Sequence, residues 1–189
     1  IFMARVQTVN EAIGSINGYV EKLTPATKVH FACFDSVSYD VVRDCKAKEW
    51  KTVTEAEVWA RGSTPLYDSC GKIMNTAEEA KAKKTMLVIM TDGYENCSKE
   101  YTREAIKARV EAWEKKEWEV VFLGASFDNV SAVSTSVGGI LDKTINFTRG
   151  SMNQGMEYLS AQTLAYNSTG ERVKFDANIR QQVGDKTQS

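Results

Sequence analysis

The residues best suited to chemistry are oxygen-bearing side chains at the ends of predicted strands. Asp92 directly follows residues 85–91, which contain five apolar residues in a row. A short, unbroken, β-prone run of this kind is typical of a strand buried on both faces. Carboxyl ends of central parallel strands are where open α/β sheets bind ligands. Gly93 would let the backbone approach such a ligand closely.

Other oxygen donors lie at comparable positions. Asp35 follows a second predicted strand, and Ser63 and Thr64 lie in a loop that leads into a helix. Carboxylate and hydroxyl oxygens suit a hard cation such as Mg²⁺, which keeps several of its waters. The alternative is that Asp92 begins a turn and that Ser63 or Thr64 caps the following helix. Spacing alone leaves both interpretations open.

The elements that must position these residues follow from apolar spacing and breaker residues. Helices are predicted over 3–23, from 66 toward the lysines at 81–84, and over 99–116, 128–137 and 152–166. Strands are predicted over 28–34, 37–42, 85–91, 118–124 and 140–147. Ser98 is the expected N-cap of the third helix. Residues 43–58 are weakly patterned, and a strand end and a short helix are expected there.

Strands that alternate with helices predict an α/β fold with a mostly parallel sheet covered on both faces. The first two strands read as a hairpin turning near Asp35 and Ser36, so the second strand is expected to run antiparallel at the sheet edge. Residues 1–170 are expected to form a single domain. Residues 171–189 are expected to be a polar tail, loose from Val183 onward.

Composition restricts the classes of function. The chain has 189 residues and a net charge of −1, which argues against a dominant nucleic-acid or membrane surface. No stretch approaches the length of a membrane span, and no signal peptide is recognised. Four cysteines occur without C-x-x-C spacing, and Cys33 and Cys70 read as small core residues. A reducing location, the cytoplasm or a virion, is therefore expected.

Common catalytic patterns are missing from the sequence. It contains no P-loop, no dinucleotide fingerprint and no nucleophile elbow. His30 is its only histidine, and we interpret it as a structural residue with its hydrogen bonds satisfied. A Ser-His-Asp triad or a histidine-rich zinc site is not expected.

Two segments together resemble a known family. Residues 62–68, Gly-Ser-Thr-Pro-Leu-Tyr-Asp, and residues 88–96, Val-Ile-Met-Thr-Asp-Gly-Tyr-Glu-Asn, are similar to the second and third site loops of von Willebrand factor type A (vWA) domains. The likeness is greatest to small intracellular or bacteriophage-type members. Residues 31–35 resemble the second strand of that family, and the likeness extends from about residue 4 to about residue 166.

The resemblance implies a doubly wound, Rossmann-like fold with a Mg²⁺-dependent adhesion site at one end of the sheet. On the matching positions, Thr64 would contribute its hydroxyl to the metal and Asp92 would act through a water molecule. Gly62, Ser63, Gly93, Tyr94 and Glu95 would surround the metal and contact a protein partner. In this family, the partner often completes the coordination with a carboxylate of its own.

One motif of the family is not matched. A D-x-S-x-S loop follows the first strand in vWA domains, but here Ile1-Phe2 resembles the end of that strand and Met3-Ala4-Arg5 the residues after the loop. We expect a missing segment rather than a natural deletion, since loss of a central strand would leave its neighbours unpaired.

Three functions follow as hypotheses. The first is a non-catalytic module that binds an acidic group of a partner protein, with or without Mg²⁺. The second is a structural virion or assembly component without a working metal site. The third is a hydrolase or phosphotransferase in which Asp92 and Asp35 hold Mg²⁺, although the sequence offers no evident general base.

Overall fold

Strands and helices alternate along the chain in the computed structural model, which describes residues 6–58, 62–125 and 129–186, with the backbone alone at 6–8. The helices are α1 (Val6–Glu21), α2 (Leu66–Glu79), α3 (Arg103–Lys115), α4 (Val130–Ser136), α5 (Met152–Thr169) and α6 (Ala177–Gln182). The strands are β1 (Lys28–Phe34), β2 (Tyr39–Lys46), β3 (Met86–Thr91), β4 (Glu119–Ala125) and β5 (Thr144–Phe147). Short 3₁₀ turns occupy Ala47–Glu49, Glu55–Glu57 and Leu141–Lys143.

A parallel sheet with the order β3-β4-β5 forms the centre of the fold. β3 pairs with β4 from Met86 opposite Glu119 to Thr91 opposite Gly124. All seven residues of β4 are buried, as expected for an inner strand covered by helices on both sides. The predicted α/β class is therefore confirmed.

Side chains of the sheet alternate between two apolar cores. Val121 and Leu123 of β4 pack with α1 and α5 in one core. Val120 and Phe122 pack with α2, α3 and α4 in the other. Because successive side chains of a strand point to opposite faces, this division places helices on both faces of the sheet.

The antiparallel pair is separate from the parallel sheet. β1 and β2 form a hairpin, as predicted, but among the described residues they make a two-stranded sheet of their own rather than the edge of a single sheet. A groove that is lined by residues of both β1 and β3 lies between the antiparallel pair and the parallel sheet. Met86 and Val88 of β3 line that groove and are only half-buried. The predicted burial of β3 on both of its faces is therefore only partly observed.

The predicted start of the third helix and its predicted N-cap are wrong. The third helix begins at Arg103, and its N-cap is Thr102, whose hydroxyl accepts a hydrogen bond from the N–H of Ala105 at 3.2 Å. Ser98 lies in the preceding loop, where its hydroxyl donates to Glu95. A serine side chain can bond to the backbone of a turn or of a helix N-terminus equally well. The residue type alone therefore did not show which of these roles Ser98 has.

Residues 171–186 pack on the rest of the chain rather than extending as a polar tail. Val173, Phe175, Ile179 and Val183 belong to the core that contains α1 and α5. Val183, the first residue of the expected loose segment, is fully buried. Widely spaced apolar residues in a polar segment carried too weak a pattern to indicate this packing.

The interpretation of His30 as a satisfied residue is also wrong. Both of its ring nitrogens are buried without a hydrogen-bond partner, and Nδ1 lies 3.8 Å from Oδ1 of Asp44. Cys33 and Cys70 are buried free thiols, as predicted for core residues, and burial raises the pKa of Cys70 to about 12. Among the described residues, no helix has the length and apolar character needed to cross a membrane.

Candidate functional site

Three segments meet beyond the carboxyl ends of β1 and β3, and we call them together the loop face: the 35–38 turn, the 62–65 loop and the 92–98 loop. Gly62 has a φ of +56°, and a Cβ built on it would lie 2.8 Å from Oγ of Ser36. A Cβ built on Gly93 would lie 3.3 Å from Oγ1 of Thr64. Glycine at both positions therefore permits the close approach of the three segments.

Thr64 is fixed by a reciprocal pair of hydrogen bonds to Asn96. The N–H of Thr64 donates to Oδ1 of Asn96 at 2.8 Å, and the N–H of Asn96 donates to the carbonyl of Thr64 at 3.2 Å. Thr64 is buried. The two predicted metal ligands therefore lie on loops that are bonded to each other, with the Thr64 hydroxyl beside the residue that follows Asp92.

The turn that carries Asp92 is organised by Thr91. The Thr91 hydroxyl donates to the carbonyl of Gly93 at 3.0 Å and accepts the N–H of Gly93 at 3.2 Å. Thr91 is fully buried, whereas Asp92 and Gly93 are half-buried. The buried Thr91 hydroxyl therefore fixes the backbone of the turn that carries Asp92, directly after the end of β3.

Glu95 lies in the interior of the 92–98 loop rather than projecting to solvent. Its Oε1 atom accepts the N–H groups of Cys97 and Ser98 at 2.8 and 2.6 Å. Its Oε2 atom accepts the N–H of Tyr67 at 2.9 Å and the hydroxyl of Ser98 at 2.7 Å. This carboxylate therefore positions the loop and the start of α2, a role that sequence reasoning missed.

Asp68 makes a similar link from the first turn of α2. Its carboxylate accepts three backbone N–H groups, those of Lys99, Glu100 and Tyr101, at 2.8 to 2.9 Å. Burial acts to raise the pKa of Asp68, but the backbone N–H donors outweigh it and hold the pKa below its ordinary value of 3.8. The contact forms because the fold brings the start of α2 close to residues 99–101, which lie 31 to 33 residues later in the sequence.

Asp35 completes the 35–38 turn. It is buried, and its Oδ1 atom accepts the N–H groups of Val37 and Ser38 at 2.7 and 2.9 Å. A carboxylate bound to the backbone two and three residues ahead is the usual organisation of an Asx turn.

Two large side chains are exposed on the loop face. Tyr94 is 52% exposed and Val37 is 74% exposed. Gly62 is also exposed, and Ser63 is half-buried. Tyr94 is thus accessible, as its predicted role in partner binding requires, and Val37 is an accessible residue that sequence reasoning did not select.

The donors present match Mg²⁺ in chemical type but form a partial set. Thr64 and Asp92 supply a hydroxyl and a carboxylate, which are hard oxygen ligands. Within the described ranges, no group of three or more His, Cys, Asp or Glu side chains is placed to hold a metal ion. Oxygen atoms of Asp35 and Glu95 are already bonded to backbone N–H groups. With Thr64 and Asp92 as the ligands from the described residues, a cation here would need further oxygen ligands from elsewhere.

Comparison with known proteins adds no assignment. No model of a known protein family matches the chain, and no curated protein matches it significantly.

Proposed function

We propose that this chain is a non-catalytic protein-binding module of the vWA type, and that it binds an acidic group of its partner at the loop face. The proposal depends chiefly on the reciprocal bonds between Thr64 and Asn96, which hold the predicted ligand Thr64 against the turn that carries Asp92. Fixed loops lower the entropy cost of association, since few side chains must be ordered when the partner arrives.

Mg²⁺ is the proposed cation of this site. Thr64 and Asp92 would hold it, and it would supply the positive charge that attracts a carboxylate of the partner. The protein's own contribution is to fix the two oxygen donors and to leave coordination positions for water and for the partner. Within the described residues, the chain alone supplies too few ligands for tight binding, so a partner carboxylate is expected to increase the affinity.

The exposed side chains of the loop face fit a protein partner. Tyr94 offers a large amphipathic surface with few rotatable bonds, and aromatic residues of this kind are enriched among the residues that dominate binding energy. Val37 lies on the neighbouring turn and adds exposed apolar area. Gly62 and Ser63 would form the rim of this partner-binding surface.

A structural virion or assembly component is the second candidate. It is favoured by the small number of metal-ligating side chains described at the loop face. In this case the same fold would contact its neighbours without a cation. Chelation with EDTA separates the two candidates, because assembly that is unchanged by EDTA favours the structural role. Mg²⁺-dependent phosphate release from a generic ester would instead indicate the hydrolase.

The main test compares Asp92→Ala with the parent chain in binding assays with isolated partner, with Mg²⁺ and with EDTA. We expect Asp92→Ala to weaken binding at least about tenfold, equivalent to about 1.4 kcal/mol, without loss of the folded state by circular dichroism. Asp142→Ala is the matched control, because Asp142 is an exposed aspartate before β5. Equal binding by Asp92→Ala and the parent would refute the proposal.

The cation is tested separately with Mn²⁺ as a paramagnetic substitute for Mg²⁺. Line broadening in NMR spectra should be centred on Thr64, Asp92 and Gly93, and Thr64→Val should remove it. Broadening spread evenly over exposed carboxylates would show that the loop face has no preference for the cation.

A further inference from the structure

An open pocket of about 630 Å³, here called the network pocket, lies at the amino ends of β4 and β5. Its lining residues belong to three segments of the chain, within 111–115, 138–143 and 172–174. Because β3, β4 and β5 are parallel, this pocket is at the opposite end of the sheet from the loop face. Pockets of this size commonly hold small organic molecules.

A network of ion pairs fixes the charged side chains on one side of this pocket. Lys143 is buried, and its Nζ atom lies 2.6 Å from Oε2 of Glu114 and 2.7 Å from Oε2 of Glu119. Arg172 contacts the same two carboxylates. The guanidinium of Arg172 is therefore held in one position by two carboxylates before any ligand binds.

The Arg172 guanidinium also has donors that the network does not use. Its Nε atom donates to Oε1 of Glu119, and its Nη2 atom donates to Oε2 of Glu114. A guanidinium has five N–H donors, and Nη1 of Arg172 makes no hydrogen bond within the described part of the chain. The side chain is 38% exposed. The edge formed by Nη1 and Nη2 can therefore donate two parallel hydrogen bonds to a carboxylate.

The carboxylates that line the pocket are already paired with cations of the chain. Asp142 lies 3.3 Å from Nζ of Lys174, and Glu111 lies 3.9 Å from Nζ of Lys107. Glu114 belongs to the network of ion pairs. A cationic ligand would therefore have to displace a cation of the chain.

Lys115 supplies a second cation with unused donors. It is exposed and lines the pocket, and no carboxylate of the described ranges is paired with it. The charges of Glu111 and Asp142 still act across the pocket and repel a dianion, such as a phosphate monoester, more strongly than a monoanion. A single carboxylate is the anionic group that these charges favour.

Apolar surface lies beside these cations. Ile140 is 40% exposed and lines the pocket together with the buried Val173. Gly138 also lines the pocket, with a φ of +80°, and a Cβ built on it would lie 3.2 Å from the carbonyl oxygen of Lys107. Glycine therefore lets this turn approach α3 closely. An apolar group of a ligand would remove the exposed surface of Ile140 from water.

We propose that the network pocket binds a small monocarboxylic acid with an apolar body. The carboxylate accepts hydrogen bonds from Nη1 and Nη2 of Arg172 and pairs with Lys115, and the apolar body packs on Ile140 and Val173. Because the network already fixes Arg172, little side-chain entropy is lost on binding. This site uses none of the loop-face residues and does not depend on the function proposed for them.

The experiment uses 4-phenylbutanoate as the probe and the whole chain as the protein. Backbone amide chemical shifts are followed by NMR as the probe is added. We expect saturable shifts centred on Ile140, Asp142 and Val173, with no shifts in residues 92–98. The uncharged analogue 4-phenylbutan-1-ol and the short acid butanoate should each bind about tenfold more weakly, because one lacks the carboxylate and the other the aromatic ring.

Variants of the chain test the two cations separately. Arg172→Lys keeps the charge but removes the planar pair of donors, so it should weaken probe binding about tenfold. Lys115→Met should weaken it about threefold, as expected for an exposed ion pair. Lys116→Met is the matched control, since Lys116 is the next residue and is exposed but does not line the pocket; it should leave probe binding unchanged. Circular dichroism checks that each variant is folded.

Several results would overturn the proposal. Equal binding of 4-phenylbutan-1-ol would show that the pocket does not recognise a carboxylate. Tighter binding of 4-phenylbutyl phosphate than of the probe would assign the pocket to phosphate monoesters. Shifts that do not saturate, or that are spread over the surface, would show that no site exists. If Arg172→Lys fails to fold, equal binding by Lys115→Met and Lys116→Met would still refute the proposed contact with the carboxylate.

Discussion

The Oε2 atom of Glu95 accepts a hydrogen bond from the backbone N–H of Tyr67 at 2.9 Å. Tyr67 lies in the first turn of α2, where backbone N–H groups have no partner within the helix. A carboxylate at this end of a helix also interacts favourably with the helix dipole. One side chain of the loop after β3 therefore completes the start of the helix that follows Thr64.

Glu95→Ala should destabilise the fold by about 2–3 kcal/mol, because the carboxylate accepts several charge-assisted hydrogen bonds and its removal leaves their donors without partners. Urea denaturation monitored by circular dichroism measures the loss. The control is Glu100→Ala, since Glu100 lies in the same segment but is exposed and paired with Lys72 on the surface; it should change stability by less than about 0.5 kcal/mol. Equal stability of the two variants would contradict the structural role of Glu95.

Fold class could be predicted from the sequence because the elements are strongly patterned. β1 begins and ends where its alternation indicates, at Lys28 and Phe34, and β4 has no charged or hydroxyl side chain from Val120 to Ala125. The strand patterns by themselves did not predict the separation of β1 from β3, since such patterns identify strands but not their neighbours in the sheet. The packing of Val173 and Phe175 depends on contacts with residues distant in sequence, which leave little local pattern.

The candidate site was predictable by residue type but not by role. Thr64 and Asp92 were selected as oxygen donors at strand and loop ends, and the structure places their loops together. Glu95 was expected to contact a partner, yet its carboxylate is bonded to the backbone of its own loop and of α2. A glutamate after a strand has the same sequence appearance in either role, and only the folded path of the chain shows which donors surround it.

Two glycines in helices should respond oppositely to alanine. A Cβ on Gly155 would lie 2.1 Å from Cε1 of Phe147, whose side chain is fully buried, so Gly155→Ala should destabilise by about 1–3 kcal/mol through overpacking. A Cβ on Gly14 would meet no neighbouring atom of the described residues within 4 Å, so Gly14→Ala should stabilise by about 0.5–1 kcal/mol through its helix propensity. Thermal unfolding of both variants checks the prediction. Destabilisation of similar size in both would show that α1 is closely packed at Gly14 as well.

Lys143 should be important for stability because it lies in a buried network of charges. Its Nζ atom lies 2.6 Å from Glu114 and 2.7 Å from Glu119, and Arg172 contacts the same two carboxylates. Lys143→Met leaves those carboxylates with one cation, so a loss of about 3 kcal/mol is expected. Lys174→Met is the control, since its pair with Asp142 is exposed and should contribute at most about 1 kcal/mol. A loss below about 1 kcal/mol for Lys143→Met would show that Arg172 alone suffices.

Asp68 should make the stability of the chain depend on pH in the acidic range. Backbone N–H donors hold its pKa in the folded chain below 3.8, against the opposing effect of burial. A carboxyl whose pKa is lowered by folding contributes stability that is fully present above its unfolded pKa. That contribution is lost as the pH falls below about 3.8 and through the lower folded pKa.

Asp68→Asn should therefore be less stable than the parent by about 1–3 kcal/mol at neutral pH, because one of its oxygen acceptors is replaced by an amide donor. The difference should narrow below a pH of about 3.8, where the parent carboxyl takes up its proton. Urea denaturation of both proteins across this range measures the difference at each pH. Asp142→Asn, at an aspartate whose side chain is 53% exposed, should follow the parent curve throughout. The free energies of unfolding of Asp68→Asn and the parent could instead differ by a constant amount into the acidic range. That result would show that the charge of the carboxylate does not contribute to stability, and that only the shape of the side chain matters at this position.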